Sequence, residues 1–504
     1  MQERPDDAAE RERRKPLPLC FFVRGCRVAR VPVAIALYFE QRAPSFNMKG
    51  MFRSLSSIIL LGLLPAFSPA QSTSRPATVN LEDASAYGQE IFENSGTTGM
   101  VLVVVHGNKV FIQGYGETAP HSRETPTKDS VVRLCSLTKI FTTDLLTKLV
   151  LDRTVQFNDP LQKYAPAGAR VPERNQQPIT LLNLATHTAG LHRELGYPPN
   201  GMAHFTYPDA ALRWNWLPKQ QLRFTPGTVA SYSNIGYDLL SDAIQTAAHE
   251  PYSALLAERT LKPLHMWETT YYPTPAQCNR LMLSAQDNGA CTVTENTAGS
   301  SGLYSTPKDM ARWLKYLLGS GEPGFPAQPH QAQDAYIAPD QLVRESGLEY
   351  GGDPSGIGLG WIHVLPANDP SHIVEKTGGG AGYLTYIVLH PASHTAMFVA
   401  ATEGRRLPHV THFNLFKASN NILLRLVGAP PIPEVEDHPR AKVRKGQPAK
   451  PHAPVAAQPR GKTHRQAAPK PAPPARKQVK KPHEAPSRKK PAAKPRAHAA
   501  RKRG

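Results

Sequence analysis

The sequence predicts an α/β protein of the α+β kind, in which helices flank an antiparallel sheet and a mostly helical subdomain is inserted. Apolar stretches of strand length occur near both ends of the central region, at about 100–114 and again after residue 358. The residues between about 160 and 292 are instead rich in helical patterns and loops. A chain of 504 residues is long enough for one large domain or for two to three ordinary ones. We expect a functional cleft where the sheet and the helical subdomain meet.

Periodicity and turn residues assign the individual elements. The strands at 100–105 and 110–114 are predicted to form a hairpin, because Gly107-Asn108 between them is a turn signal. Further strands are predicted at 358–364, 372–377, 383–390 and 395–402. Helices are predicted at 84–94, from the region of Ser136 to about Leu151, and at 180–187, 235–248, 307–318 and 411–426.

The net charge of +19 is concentrated at the C-terminal end of the chain. Residues 433–504 contain 21 Lys and Arg against four Asp and Glu, which gives +17, whereas residues 71–432 carry −3. The same 433–504 segment has 14 Pro and no Phe, Trp, Tyr, Leu, Ile or Met. It cannot bury enough apolar surface to offset chain entropy, so we predict a disordered basic tail. The charge therefore does not indicate a nucleic-acid-binding domain.

Residues 48–70 have the pattern of a secretory signal peptide, with positive residues, the apolar run 58–64 and a small-residue cleavage site. Seven apolar residues are too few to span a bilayer. Residues 1–47 show no helix caps and no clear period. We therefore expect translation to start at Met48 or Met51 and the mature protein to be exported to the periplasm. The alternative is a genuine N-terminal extension with an internal hydrophobic segment.

Export changes the interpretation of the three cysteines beyond residue 70. Cys278 and Cys291 stand 13 positions apart across a polar segment. In an oxidising compartment they are candidates for a disulfide that closes a surface loop. Cys135 has apolar neighbours, so we predict a buried small hydrophobe rather than a catalytic thiol.

Ser136 and Lys139 stand three positions apart in a segment whose apolar residues recur every four positions, at Leu137, Phe141, Leu145 and Leu149. This spacing predicts a helix buried along one face. Positions i and i+3 share a helix face, so the hydroxyl and the amine can come within hydrogen-bond reach. A serine hydroxyl needs an adjacent base to become a nucleophile, and a lysine among apolar neighbours and other cations can be that base.

Two further groups of residues could complete this chemistry. Tyr232 and Asn234 stand two positions apart just before a helix, where a phenol can relay a proton and an amide can bind a substrate amide together with Lys139. Lys376, followed by Thr377 and three glycines, stands at a strand end, where it can hold a carboxylate while the glycines leave room for a peptide-like ligand. Taken singly, these residues also fit a packing tyrosine and a glycine-rich hairpin turn with a surface lysine.

Together and in this order, separated by about 96 and 142 residues, the three groups leave those alternatives little room. The sequence resembles the serine β-lactamase and penicillin-binding-protein superfamily on its class C side, and within it the AmpH-type D-alanyl-D-alanine carboxypeptidase/endopeptidases. The resemblance covers about residues 84–426 and leaves the tail outside. It includes the connecting phrases NDPLQKYAPAGARVP, LLNLATHTAGL, SGLYSTPKDMARW, GLGW and KTGGGAGYLTY. The Cys278/Cys291 pair also matches that subgroup.

The resemblance implies a role for each matching residue. Ser136 would be the acylated nucleophile, Lys139 its base, and Tyr232 the group that passes the proton to the leaving amine and helps activate the deacylating water. The substrate would be bound by Asn234 at its amide and by Lys376, Thr377 and Gly378 at its carboxylate end. The oxyanion hole would consist of the backbone N–H groups of Ser136 and Gly379. His187 lies within a family phrase, and we interpret it as structural.

The implied function is that of a periplasmic serine D-alanyl-D-alanine carboxypeptidase/endopeptidase. It would act on peptidoglycan stem peptides and bind β-lactams covalently as inhibitors. A class C β-lactamase or an esterase on the same machinery is the alternative. Gly379 stands where many class C β-lactamases have serine, which disfavours the β-lactamase alternative. Lys376 stands where many esterase-like relatives have histidine, which favours a substrate that carries a carboxylate. A non-catalytic wall-binding protein is a third possibility. No cofactor and no metal are implied, and anionic envelope polymers or lipids are candidate partners of the basic tail.

Overall fold

An antiparallel sheet with helices on both faces forms the centre of the structure. The computed structural model describes residue 79 and residues 81–286, 288–319, 323–348, 351–404 and 414–433. The predictions made for residues 1–47, for the signal peptide at 48–70 and for the tail beyond residue 433 lie outside the described residues. None of the described helices is long and apolar enough to cross a membrane.

The strands and helices of the described residues are as follows. The strands are β1 (Gly99–His106), β2 (Lys109–Gly116), β3 (Val132–Arg133), β4 (Val229–Ser231), β5 (Tyr304–Ser305), β6 (Ala335–Ile337), β7 (Arg344–Ser346), β8 (Pro354–Gly358), β9 (Ile362–Val364), β10 (Ile373–Gly380), β11 (Tyr383–His390) and β12 (Thr395–Thr402). The helices are α1 (Asp83–Ser95), α2 (Thr138–Leu151), α3 (Leu181–Ala185), α4 (Ala210–Trp216), α5 (Asn234–Ala248), α6 (Tyr252–Leu256), α7 (Pro275–Cys278), α8 (Pro307–Leu318) and α9 (Leu415–Val427).

Eight strands form the main sheet in the order β2-β1-β12-β11-β10-β9-β8-β6, and every neighbouring pair is antiparallel. Strand β1 is apolar almost throughout because helices cover both of its faces. Val101, Val103 and Val105 pack in the cluster that contains α2 and α8. Met100, Leu102 and Val104 pack in the cluster that contains α9. The predicted antiparallel sheet flanked by helices is therefore confirmed.

The predicted strand at 358–364 is wrong in one respect, because it is the hairpin of β8 and β9. Gly360 lies between them with φ of +78°, a backbone conformation that glycine adopts without steric cost. A Cβ atom there would lie 2.9 Å from the Tyr237 hydroxyl oxygen. The phrase GLGW is therefore a tight turn packed against α5 rather than the interior of a strand.

Helix α2 is also more deeply buried than its apolar spacing predicted. Eleven of its 14 residues are buried, among them the polar Thr142 and Asp144, which lie outside the apolar series that predicted the buried face. Thr142 shares a hydrogen bond of 2.7 Å with the Tyr252 hydroxyl, and Asp144 accepts one of 2.8 Å from the Tyr316 hydroxyl. Residues of the insertion and of α8 thus cover the polar face of α2 and supply partners for its side chains.

The helical insertion, at about residues 160–292, brings α5 against α2. Buried residues of both helices, among them Ile140, Tyr237 and Leu240, belong to one apolar cluster. The short strand β4, just before α5, pairs in parallel with β7. The start of α5 therefore lies between the buried helix α2 and the β7 segment, which fixes the residues that precede this helix.

The cysteines lie as their sequence context predicted. Cys278 at the end of α7 is disulfide-bonded to Cys291, and Cys135 is free and fully buried. Burial raises the pKa of the Cys135 thiol to about 12, so it remains protonated and unreactive at neutral pH.

We predict that thiol alkylation of the folded protein without residues 1–70 modifies none of its three cysteines, Cys135, Cys278 and Cys291. Denaturation without a reductant should expose only Cys135, because the disulfide keeps the other two oxidised. Denaturation with a reductant should expose all three, as counted by mass spectrometry. In a Cys135→Ala variant the first two treatments should give no modification. Alkylation of Cys278 or Cys291 in unreduced protein purified from an oxidising compartment would contradict the assignment.

Candidate active site

Ser136 lies in a short helical turn, Cys135–Leu137, that leads directly into α2. It is the single residue between 131 and 140 that is not buried. Cys135 before it has φ of +50°, a conformation that is unfavourable for a residue with a side chain and must be imposed by the surrounding structure. The adjoining Leu134 carbonyl accepts a hydrogen bond of 3.0 Å from the Thr385 hydroxyl on β11. The sheet thus holds this turn with the Ser136 hydroxyl accessible.

The Lys139 amine is fully buried beside Ser136. Its Nζ lies 3.4 Å from Ser136 Oγ and donates to Asn234 Oδ1 at 2.6 Å and to the Ser300 carbonyl at 2.8 Å. Burial, followed by the charge of Lys376, holds the pKa of Lys139 well below its usual value. A neutral amine has two N–H donors and one lone pair. With both donors used by oxygen atoms, the lone pair is left for the serine proton.

Tyr232 approaches Ser136 from the start of α5. Its hydroxyl donates to Ser136 Oγ at 2.6 Å. Three cations lie near its ring, with Lys139 Nζ at 4.7 Å, Lys376 Nζ at 5.5 Å and Arg193 Cζ at 4.6 Å from the centroid. Positive charge at these distances stabilises negative charge on the phenolic oxygen when its proton moves. The hydroxyl can therefore give a proton to a group that leaves from the serine and take one back.

Asn234 is the first residue of α5, and its orientation is set from both sides. Ser233 caps the helix by accepting a hydrogen bond of 3.0 Å from the Gly236 N–H. The Asn234 carbonyl oxygen faces Lys139, so its NH₂ group points the other way and donates to the carboxylate of Glu194. This amide thus links the buried lysine to the cleft surface.

Lys376 and the residues after it lie on β10, next to Ser136. Strand β9 pairs with β10 only as far as Glu375, so no described strand covers this edge of residues 376–380. A Cβ atom on Gly378 would lie 2.3 Å from Thr385 Oγ1 and 3.2 Å from the Ser136 nitrogen. Glycine is therefore required for this close approach of β10 to the Ser136 turn. Gly379 is exposed, whereas Lys376 and Thr377 are buried.

The sequence comparisons agree with this geometry. The family profile described as β-lactamase matches residues 85–414, which is well over half of the chain. The chain belongs to the β-lactamase family.

Two relatives of this β-lactamase family member are similar over most of its length. The D-alanyl-D-alanine-carboxypeptidase/endopeptidase AmpH of Escherichia coli K12 is 40% identical over 387 residues, covering 76% of this chain and 99% of that protein. The crystal structure of the β-lactamase/D-alanine carboxypeptidase of Yersinia pestis is 39% identical, with a TM-score of 0.64, covering 69% of this chain and 98% of that one. A class C β-lactamase of Rhodobacter sphaeroides, at 19% identity and a TM-score of 0.52, covers 69% of this chain and 99% of its own and shares the fold.

His187, in the family phrase LLNLATHTAGL, packs behind Tyr232. The two ring centroids are 4.4 Å apart, and His187 Nδ1 accepts a hydrogen bond of 3.1 Å from the Ser233 N–H. Burial, followed by the charges of Lys139 and Lys376, holds the pKa of His187 well below its usual value. A neutral imidazole that accepts at Nδ1 carries its proton on Nε2. This environment fits a residue that positions Tyr232 and does not itself transfer protons.

Sequence reasoning did not identify Arg193, Glu194 or Ser300 as part of this site. Arg193 lies against the Tyr232 ring, Glu194 bonds Asn234, and Ser300 contributes only its backbone carbonyl. A carbonyl contact leaves no trace in a single sequence. Arg193 and Glu194 lie in a loop without periodicity, and only their nearness to the LLNLATHTAGL phrase could have drawn attention to them. Across the described residues, no cluster of three or more His, Cys, Asp or Glu could hold a metal ion.

We predict that acylation of Ser136 by penicillin loses rate at acid pH, as Lys139 becomes protonated. A Lys376→Met variant removes a neighbouring positive charge, so the pKa of Lys139 should rise and the midpoint of this acid limb should move upward by about one pH unit. The measurement is the acylation rate constant of a labelled penicillin between pH 4 and pH 9. Lys109→Met, at an exposed position of β2, is the control and should leave the midpoint unchanged. An unchanged midpoint in Lys376→Met would contradict the electrostatic coupling.

Proposed function

We propose that this protein is a serine D-alanyl-D-alanine carboxypeptidase/endopeptidase that cleaves peptidoglycan stem peptides through an acyl-enzyme at Ser136. The observation that carries the proposal is the hydrogen-bonded set Ser136, Lys139 and Tyr232 beside the uncovered edge of β10. An extended peptide can pair with such an edge through its backbone. The E. coli relative is named for this activity, and the Yersinia relative is named as a β-lactamase/D-alanine carboxypeptidase, so both support the carboxypeptidase function.

Acylation would begin when Ser136 Oγ attacks the carbonyl carbon of the scissile D-alanyl amide. The serine proton passes to the neutral Lys139 amine, and the backbone N–H groups of Ser136 and Gly379 bind the oxyanion. The Tyr232 hydroxyl then protonates the leaving nitrogen as the C–N bond breaks, and Lys139 returns a proton to the phenol. D-alanine leaves in the carboxypeptidase reaction, and a cross-linked peptide leaves in the endopeptidase reaction.

Substrate binding would use both sides of the nucleophile. Lys376 and Thr377, with Gly378 clearing the strand surface, receive the carboxylate end of the substrate. Asn234 binds an amide of the acyl part. Deacylation follows when water attacks the ester carbonyl. The water proton passes to Tyr232 while the phenol proton moves to the neutral Lys139 amine, and the ester C–O bond then breaks as Ser136 Oγ takes a proton back from Lys139.

A β-lactamase is the second candidate, because class C enzymes share this fold. Both activities form an ester at Ser136 and differ in how fast water removes a bulky acyl group. Efficient removal of a penicilloyl group needs a water held on the open face of the ester and a base for it. Beyond Tyr232, we find no such base among the described residues. This favours the peptidase, for which β-lactams are inhibitors.

We predict that the purified chain without residues 1–70 releases D-alanine from a pentapeptide stem and turns over β-lactams slowly, with a long-lived penicilloyl adduct on Ser136. Both products are measured on one preparation, and the adduct is located by peptide mass spectrometry. Ser136→Ala should lower D-alanine release by at least about 10³-fold and abolish the adduct while circular dichroism stays unchanged. Cephalosporin turnover on the order of hundreds per second without D-alanine release would make the protein a β-lactamase instead.

The proposal includes export to the periplasm through residues 48–70, and electrostatic attachment to the envelope through residues 433–504. The +17 charge of that tail is the supporting observation. Outside the cytoplasm, polyanions include anionic lipid headgroups, surface polysaccharides and the wall itself. A tail that only improves solubility is the alternative.

We predict that deletion of residues 433–504 leaves the cleavage of small soluble peptides unchanged but weakens sedimentation with envelope fractions. The intact chain should lose about the same binding when salt is raised from 0.05 M to 0.5 M, because the charges are screened. Sedimentation that is independent of both the tail and the salt would contradict the tether.

A further inference from the structure

Glu194 places a carboxylate at the cleft surface, where the Asn234 side chain connects it to the buried Lys139 amine. Its Oε1 accepts a hydrogen bond from the Asn234 NH₂ group, whose other end faces Lys139. Its side chain is 45% exposed, and among the described residues no donor bonds its second oxygen, Oε2. Half of this carboxylate is therefore available to a ligand in the cleft.

The neighbouring Arg193 does not neutralise Glu194 through a direct hydrogen bond. Arg193 Nε lies 4.0 Å from Glu194 Oε1, which is beyond hydrogen-bonding distance. The guanidinium instead lies against the Tyr232 ring at 4.6 Å. The Arg193 backbone carbonyl accepts a hydrogen bond of 2.9 Å from the Asn234 N–H, which fixes this loop to the start of α5.

Two acidic and two basic side chains influence the pKa of Lys139, and the two acids differ in their exposure to the cleft. Lys376 and Arg193 lower its pKa by repulsion, while Asp238 and Glu194 act in the opposite direction. Asp238 is buried. Of these two acids only Glu194 reaches the cleft, where it can meet a substrate. A cationic group of the substrate would therefore find its carboxylate partner at Glu194.

We propose that Glu194 forms a subsite for a cationic amino group on the acyl part of the substrate. The inference rests on the proposed function, in which Asn234 binds an amide of that acyl part. An amide held by Asn234 places the adjoining side chain beside Glu194, since the two residues are hydrogen-bonded. The substrate class is thus a peptide stem whose residue before the D-alanines carries a free side-chain amine, rather than one in which this amine is acylated.

Two substitutions at Glu194 separate charge recognition from a structural role. Glu194→Gln keeps the side-chain size and an oxygen that accepts from Asn234, but removes the charge. Glu194→Ala removes both, so Asn234 loses a partner. If Glu194 acted only by orienting Asn234 or through its charge on Lys139, Glu194→Gln would change the rates with all substrates by the same factor. Charge recognition instead predicts that Glu194→Gln lowers the preference for amine-bearing substrates over their neutral counterparts. Glu93→Gln, at an exposed position of α1, is the matched control.

The first experiment compares two pentapeptides that are identical except that the third residue is lysine or Nε-acetyl-lysine. The wild-type kcat/KM for D-alanine release should be roughly three- to tenfold higher for the free amine, the range of a half-exposed ion pair. In Glu194→Gln this ratio should fall to about one, because only the free-amine peptide loses a charge partner. The control variant Glu93→Gln should keep the wild-type ratio. A wild-type ratio near one, or a ratio that survives in Glu194→Gln, would overturn the subsite.

The second experiment needs no peptidase activity. Ampicillin differs from benzylpenicillin by one amino group on its acyl side chain, so the ratio of their acylation rates at Ser136 reports the same recognition. The ratio should fall in Glu194→Gln, because only ampicillin carries an amino group that the carboxylate could bind. Absence of D-alanine release together with this fall would reject the proposed function and leave the subsite standing. D-alanine release with both ratios insensitive to Glu194→Gln would reject the subsite and leave the function standing.

Discussion

The buried Lys139 amine is the constraint on which the active site depends. Enclosing a charged ammonium costs several kcal/mol unless an anion bonds it, and among the described residues no carboxylate does so. The Lys139 partners are instead neutral oxygen atoms of Asn234 and Ser300, and the positive Lys376 lies nearby. The amine therefore favours its neutral form and can act as the base for Ser136 in the proposed reaction. Because those partners come from α5 and the segment before β5, the base exists only when α2 is fully enclosed.

Strand β10 connects this site to the opposite side of the sheet. Successive side chains of a strand point to opposite faces, so Glu375 and Lys376 serve different surroundings. Glu375 is buried and accepts hydrogen bonds from the Gly351 N–H at 2.6 Å and from the Asn420 NH₂ group of α9 at 3.1 Å. These contacts fix the strand from behind, while Lys376 faces the Tyr232 ring. Beyond Glu375 the strand is paired with β11 on one side, while its other edge has no neighbour among the described strands and stays open to an extended ligand.

The loop that carries Arg193 and Glu194 places both a cation and an anion beside the start of α5. Arg193 lies against Tyr232 and Glu194 lies against Asn234, so each charge adjoins one residue of the Tyr-x-Asn pair. The contact between Arg193 and Tyr232 favours proton transfer in the proposed reaction. The contact between Glu194 and Asn234 can differ with the substrate, because the Asn234 amide can bind a peptide whether or not a carboxylate lies beside it.

The sequence by itself determined the order of the elements, the sheet with its helical insertion, and the residue types of the acylation chemistry. These follow from local periodicity and from short motifs, which is why β11 and α8 have the predicted bounds of 383–390 and 307–318. Only the tertiary structure decided how deeply α2 is buried, that GLGW is a turn, and that Arg193, Glu194 and the Ser300 carbonyl belong to the site. The physical reason is that burial, backbone contacts and charge neighbours depend on segments about 40 to 160 positions apart, whose approach no local pattern encodes.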